Sequence, residues 1–157
     1  MYMAIVNILF VCTGNTCRSP MASALFAMKI KERGLSSKLR CTSAGISVES
    51  DAEIHENAVV ALKELGVKNC RHHAKQFELN CLKKNKLVLT MTERIKQQIC
   101  SSCTGAFNVK TLAEYVGGEE IPDPYGRGVE EYIEIAKYLN FLLDRLLDKL
   151  IKEYRLI

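Results

Sequence analysis

The chain has 157 residues, 48% of them hydrophobic and 25% charged, which fits a single globular domain with its own core. Its net charge of +4 arises from 22 basic and 18 acidic residues without a basic block, so nucleic-acid binding is not expected. The sequence contains no apolar run near the ~20 residues that span a bilayer, and we expect no membrane segment.

The cysteine content and the N-terminal residues point to one cellular compartment. Seven cysteines are an odd number in a chain too long for a typical secreted disulfide scaffold. Residues 1–11 are apolar but lack the basic start and the cleavage site of a signal peptide. We therefore expect a cytoplasmic protein with reduced thiols, in which a special cysteine is catalytic or redox-sensing.

The first predicted element is a strand at residues 5–11, where nearly every side chain is apolar, as in a parallel sheet covered on both faces. A helix should follow, with Ser19 as its N-cap and Pro20 at its first helical position. Its apolar side chains recur at helical spacing until Gly34, a typical residue just beyond a helix end.

The rest of the chain continues the alternation of strands and helices. In order, the pattern predicts a strand at 39–44, a helix at 54–65, a strand at 87–91, a helix capped by Thr92, a strand at 107–112, a loop at 117–128 and a long final helix. We therefore predict an α/β fold with one domain over residues 1–157. It has three layers, a four-stranded parallel sheet with flavodoxin-like winding and helices on both faces.

The loop after the first strand carries a cysteine and an arginine in the pattern C-x5-R, at Cys12 and Arg18. A helix N-terminus and a nest of loop N–H groups bind anions, and Gly14 and Asn15 tolerate the left-handed backbone that a nest requires. Arg18 can hold a phosphate through two hydrogen bonds. The same positive field favours the thiolate form of Cys12, and Ser19 can donate a hydrogen bond to it.

A second residue suited to phosphoryl transfer is Asp123, which lies between two prolines that stiffen its loop. Cleavage of a phosphorylated side chain needs an acid for the leaving group, and Asp123 is the leading candidate. An aspartate before a proline also initiates turns for conformational reasons alone, so both interpretations stay open on this pattern. Cys12 could likewise be a buried structural thiol, but its context favours an anion-binding loop.

Residues 10–22, FVCTGNTCRSPMA, resemble the active-site signature of the low-molecular-weight protein-tyrosine-phosphatase family. Residues 42–45, 72–76, 87–91 and 123–125 resemble further segments of that family, so the similarity spans nearly the whole chain. The resemblance implies a cysteine-dependent protein phosphatase that needs no cofactor and no metal. Its partners would be a phosphorylated protein substrate and a phosphate or other oxyanion in the active site.

The resemblance also implies roles for individual residues. Cys12 would form a phosphocysteine intermediate, Arg18 would bind the phosphate, and Asp123 would protonate the leaving group and then activate water. Cys17 is placed where family members form a reversible disulfide with Cys12. Tyr125 would provide an aromatic wall for the substrate. The phosphate-binding or loop-supporting residues would be Thr13, Gly14, Asn15, Thr16, Cys17, Ser19, Ser43 and His72.

Thr16 bears on which side chain is dephosphorylated. Classical tyrosine phosphatases of the family carry an aliphatic residue there, whereas the bacterial protein-arginine-phosphatase branch has threonine, and residues 111–116 also resemble that branch. The chain has no tryptophan, one common aromatic wall for a phosphotyrosine ring. We therefore favour phosphoarginine over phosphotyrosine. Phosphotyrosine remains the alternative, because Tyr125 still offers an aromatic wall.

Three other functions are less well supported. A thiol-dependent arsenate reductase needs two further cysteines just after the third strand, where Met91 and Thr92 stand. A non-enzymatic anion-binding module would need neither a nucleophile nor Asp123. A zinc site at Cys100 and Cys103 lacks a second pair of ligands. The sequence assigns no role to five cysteines, namely Cys41, Cys70, Cys81, Cys100 and Cys103.

Overall fold

The computed structural model describes residues 4–106 and 108–157. The strands are β1 (Val6–Cys12), β2 (Leu39–Gly45), β3 (Leu87–Thr90) and β4 (Val109–Thr111). The helices are α1 (Arg18–Glu32), α2 (Glu56–Glu64), α3 (Cys81–Lys84), α4 (Glu93–Ser101), α5 (Leu112–Val116) and α6 (Val129–Tyr154). Within the described residues, every helix is too short or too polar to cross a bilayer. The cytoplasmic location stays a prediction.

The four strands form one parallel sheet in the order β2-β1-β3-β4, which confirms the predicted fold class. The chain steps from β1 to β2 in one direction and from β3 to β4 in the other. Right-handed crossovers therefore place α1 and α4 on opposite faces of the sheet. The register pairs Cys12 at the end of β1 with Gly45 at the end of β2. The segments that follow these two strands consequently start side by side at the carboxyl edge.

The packing of α1 against β1 and α6 fixes the loop between β1 and α1. The rings of Phe10 and Phe26, one on the strand and one on the helix, are fully buried and meet edge to face with centroids 5.7 Å apart. About one helical turn further along α1, the Lys29 ammonium lies 2.6 Å from the Asp144 carboxylate of α6. The strand and the helix that flank the loop are therefore packed firmly in place.

The first helix begins earlier than predicted. It starts at Arg18 with Cys17 as N-cap residue, so Ser19 is inside the helix and Pro20 is its third residue. Proline is still tolerated there, because N–H groups of the first turn have no partner within the helix. The Ser19 hydroxyl therefore does not cap the helix and instead contacts Cys12 and Asn15 in the segment between β1 and α1.

The predicted strand at 107–112 is shorter than expected, and a helix follows it at once. The strand covers Val109–Thr111, Leu112 opens α5, and position 107 lies outside the described residues. Thr111 caps α5 by accepting a hydrogen bond from the Glu114 amide at 2.9 Å. A threonine followed three residues later by glutamate is the sequence signature of a helix start. That signal was present in the sequence and would have placed α5 correctly.

Candidate active site

Hydrogen bonds from the segment after β2 to backbone carbonyl groups of residues 12–16 hold the loop between β1 and α1 in place. The carbonyls of Cys12, Thr13 and Thr16 accept hydrogen bonds from the amides of Ile46, Ser47 and His55, at 3.1, 2.9 and 2.9 Å. In a trans peptide the C=O and the following N–H point in opposite directions. The following N–H groups are therefore directed to the other side, toward the loop centre. A loop with this arrangement at the N-terminus of α1 can serve as an anion cradle.

Asn15 is the central support of this loop. It is fully buried and has a φ of +57°, a left-handed conformation that asparagine adopts more readily than most residues. Its amide group donates to the hydroxyls of Ser19 at 2.7 Å and Ser43 at 3.0 Å, and its side-chain oxygen accepts from the Lys75 amide at 2.9 Å. All three bonds depend on the left-handed backbone, which turns the side chain inward.

His72 completes this support from the segment before β3. Its Nε2 atom lies 2.7 Å from the Asn15 carbonyl oxygen, which makes Nε2 the protonated nitrogen. Burial lowers the pKa of His72, and the bond to the Asn15 carbonyl and the neighbouring cations act less strongly. The imidazole is therefore held neutral near pH 7, as a fixed donor to the loop.

Cys12 lies at the base of the cradle with Ser19 beside it. The Cys12 sulfur and the Ser19 hydroxyl oxygen are 2.9 Å apart, and both residues are buried. Since Asn15 donates to the Ser19 oxygen, the hydroxyl hydrogen of Ser19 is free to point toward the sulfur or toward the Ala44 carbonyl at 3.3 Å. A hydrogen bond to the sulfur stabilises a thiolate.

Gly45 lets the second strand come close to the loop. A Cβ atom at this position would lie 2.6 Å from the Thr13 carbonyl oxygen and 2.9 Å from the Asn15 amide nitrogen. Any other residue would therefore push the strand and the loop apart. The contact is decided by packing, and the sequence offers no local signal for it.

Arg18 and Asp123 face each other across the open side of the cradle. The Arg18 guanidinium is buried and donates to the Ile121 carbonyl at 3.1 Å, while its other terminal nitrogen lies 3.7 Å from the Asp123 carboxylate. The Ile121 amide in turn donates to the Met91 carbonyl after β3 at 3.1 Å, so the loop of Asp123 is anchored to the sheet. The Asp123 carboxylate also accepts a hydrogen bond from the Tyr125 amide at 3.1 Å, and its side chain remains about half exposed, so a substrate can reach it.

Cys12, Arg18 and Asp123 border a cavity of about 370 Å³. Its lining includes Cys12, Thr13, Gly14, Thr16, Cys17, Arg18, Ser47, Glu49, Glu53, His55, Asp123 and Tyr125. Tyr125 is 74% exposed at the mouth, where a ring can flank a ligand.

Sequence reasoning missed Glu49, Glu53 and His55, because their placement depends on the course of the connection between β2 and α2. The five cysteines without an assigned role lie outside this lining.

Cys17 is buried like Cys12, and it contacts α6. Its sulfur is 3.3 Å from the Tyr132 hydroxyl, and the Tyr132 ring stacks on His55 with centroids 4.9 Å apart. Burial raises the pKa of the Cys17 thiol, and the Tyr132 hydrogen bond opposes this only in part. Cys12 and Cys17 are both free thiols in this structure.

Comparison with known proteins gives one consistent family. The family described as low molecular weight phosphotyrosine protein phosphatase matches residues 7–156. A protein-arginine-phosphatase of Bacillus subtilis is 37% identical over 96% of this chain and 100% of its own length. The low molecular weight protein-tyrosine-phosphatase PtpB of Staphylococcus haemolyticus is 34% identical over 90% of this chain and 97% of its own.

The solved structures agree with this result. A cysteine-to-serine mutant of the YwlE arginine phosphatase, described as having a phosphorylated active-site serine, superimposes with a TM-score of 0.89. That structure is 35% identical in sequence and covers 97% of this chain and 100% of its own.

Proposed function

Since the chain belongs to the low molecular weight phosphotyrosine protein phosphatase family, we propose that it dephosphorylates protein side chains through a phosphocysteine intermediate, with phosphoarginine as its preferred substrate. One observation carries the proposal: a buried cysteine beside a serine hydroxyl sits in an anion cradle, across one cavity from an aspartate. An anion-binding module would need neither group.

In the first step the Cys12 thiolate attacks phosphorus. An S–P bond forms, and the bond from phosphorus to the substrate nitrogen or oxygen breaks with its electron pair going to the leaving atom. Asp123 gives that atom a proton, so arginine leaves as a guanidinium cation or tyrosine as a neutral phenol. The loop N–H groups and Arg18 stabilise the charge on the equatorial oxygens.

In the second step water attacks the phosphocysteine. Asp123, now a carboxylate, removes a proton from the water, the S–P bond breaks, and Cys12 leaves as a thiolate. The Ser19 hydroxyl, 2.9 Å from the sulfur, stabilises this leaving group. The solved relative with a phosphorylated serine in place of its cysteine supports phosphorylation at this position.

The preference for phosphoarginine is supported by Thr16 and by the relatives. Thr16 lines the cavity beside Cys12, where its hydroxyl can accept a hydrogen bond from a guanidinium. Two relatives at 37% and 38% identity are named protein-arginine-phosphatase. Phosphotyrosine is the second candidate, because Tyr125 at the cavity mouth is placed to stack on a phenyl ring.

The test is a direct comparison of the two substrates on peptides of otherwise identical sequence. We expect a higher kcat/KM for phosphoarginine, and Thr16→Ile should shift the ratio toward phosphotyrosine by about tenfold, the effect of one lost hydrogen bond to a charged group. Thr42→Ile, at an exposed position of β2, is the matched control. A wild-type enzyme that hydrolyses phosphotyrosine far faster would overturn the preference.

A further inference from the structure

Two glutamates line the active-site cavity without a role in the chemistry described above. Glu49 and Glu53 share this lining with Cys12 and Thr16, and both side chains belong to the connection between β2 and α2. Among the described residues, neither carboxylate takes part in an ion pair. They are therefore uncompensated negative charges at a site built for an anion.

The connection that carries the glutamates is anchored on both sides of Glu49. The Val48 amide donates to the Gln76 side-chain oxygen at 3.0 Å, and the Ala52 carbonyl accepts from the Ala74 amide at 2.9 Å. Glu53 itself pairs with His73 in an isolated antiparallel bridge. The backbone of both glutamates is thus fixed against the segment that also supports the loop through His72.

The charges of the lining are unbalanced. Three carboxylates, those of Glu49, Glu53 and Asp123, meet one guanidinium, that of Arg18, which already faces Asp123. In the proposed mechanism, the phosphoryl group of the substrate adds further negative charge. For a neutral phenyl group this arrangement is unfavourable, since the carboxylates only repel the phosphate. In a substrate with a positive charge next to its phosphoryl group, the carboxylates attract that charge, and this attraction offsets their repulsion of the phosphate.

We propose that Glu49 and Glu53 form a carboxylate wall that binds the guanidinium of phosphoarginine and of the product arginine; this rests on the proposed function. Phosphoarginine retains a delocalised positive charge beside its phosphoryl group, and cleavage with proton transfer from Asp123 leaves a full guanidinium cation. Carboxylates are the preferred partners of guanidinium, because both are planar and can form two parallel hydrogen bonds. The wall discriminates by charge, whereas Thr16 discriminates by a single hydrogen bond.

The first test replaces each glutamate by glutamine and measures both substrates. For phosphoarginine peptides, Glu49→Gln and Glu53→Gln should each lower kcat/KM about threefold and the double variant about tenfold, mainly through KM, as expected for exposed charge pairs. For phosphotyrosine peptides, the double variant should increase kcat/KM by about twofold, because repulsion of the phosphate is reduced. Raising the salt concentration should shrink both effects.

The matched control is Glu56→Gln, which removes the same charge from the first turn of α2 outside the cavity lining. It should leave the ratio of the two substrates unchanged. If the double variant changes both substrates alike, or if Glu56→Gln has the same effect, the wall is not a determinant of specificity.

A second measurement tests the wall independently of the preferred substrate. Arginine amide, a stable cation, should inhibit hydrolysis of a small aryl phosphate, and the double variant should weaken this inhibition about tenfold. Absence of inhibition in the wild type, or equal inhibition in the variant, would overturn the wall. A wild type that is inhibited by arginine amide yet does not hydrolyse phosphoarginine would instead overturn the proposed function and leave the wall standing.

Discussion

The two edges of the sheet offer two different concave surfaces. At the carboxyl edge, Cys12 and Asp123 line a cavity of about 370 Å³. At the amino edge, a groove of about 980 Å³ is more than twice as large. Its lining includes five lysines and two tyrosines, namely Lys83, Lys84, Lys86, Lys110, Lys149, Tyr115 and Tyr154. The larger groove thus differs from the smaller cavity in the chemical groups that line it.

The difference lies in what holds the polar groups. At the carboxyl edge, hydrogen bonds of Asn15 and His72 support the loop that follows Cys12, the proposed nucleophile. At the amino edge, the ammonium of Lys149 lies 4.0 Å from the centroid of the Tyr115 ring, and the described lining contains no cysteine, serine or threonine. Positive charge alone attracts anions, but catalysis requires groups held in a productive geometry. Cavity size is therefore a poor guide to the active site here.

The strongest test of this contrast removes the proposed nucleophile. Cys12→Ser should lower kcat by about 10⁴-fold or more, because an unactivated hydroxyl cannot replace the thiolate. Binding of inorganic phosphate should persist, since the cradle and Arg18 remain. Cys81→Ser, at the start of α3 next to the lysine groove, is the control and should keep full activity. Phosphatase assays and phosphate titration measure both quantities, and an active Cys12→Ser enzyme would refute the mechanism.

The next largest effect should come from the acid. Asp123→Asn keeps the shape of the side chain but cannot give up a proton, so kcat should fall about 10²–10³-fold. Asp148→Asn, an exposed carboxylate on α6 paired with Arg33, serves as the control. An Asp123→Asn enzyme with an unchanged kcat would assign the acid role to another group.

The sequence predicts some parts of the site at the carboxyl edge better than others. The β1 strand and the C-x5-R loop are local patterns, so the site of Cys12 and Arg18 follows from adjacent residues. The loop-supporting roles of Ser43 and His72 were predicted only from the family resemblance. Their contacts with Asn15 depend on strand register and on a segment distant in sequence, which no local pattern indicates. The positions of the cavity glutamates and the approach of Gly45 to the loop follow from tertiary packing alone, and no local pattern encodes them.

Gly45 offers a test of that tertiary contact. In Gly45→Ala the added methyl would lie 2.6 Å from the Thr13 carbonyl, so the loop must shift. We expect a loss of about 2 kcal/mol in unfolding free energy, or roughly 6 °C in Tm, with a drop in kcat of about tenfold. Gly34→Ala is the matched control, because its φ of +69° strains the backbone but no atom lies within 4 Å of the new methyl. It should lower Tm alone; a loss of activity there would mean that the active site senses general destabilisation.

The smallest effect is expected at the amino edge, in a triple variant in which Lys83, Lys84 and Lys86 are replaced by glutamine. These lysines lie on or just after α3, at the opposite ends of the strands from Cys12. Their distance from Cys12 exceeds the Debye screening length of about 8 Å at 0.15 M salt, so their charges are largely screened there. We expect less than a twofold change in kcat/KM for phosphorylated peptides. At low ionic strength a modest loss should appear in KM alone, because the variant loses three positive charges that attract anionic substrates. A tenfold loss at physiological salt would instead make the groove part of substrate recognition, and the division between the two edges would fail.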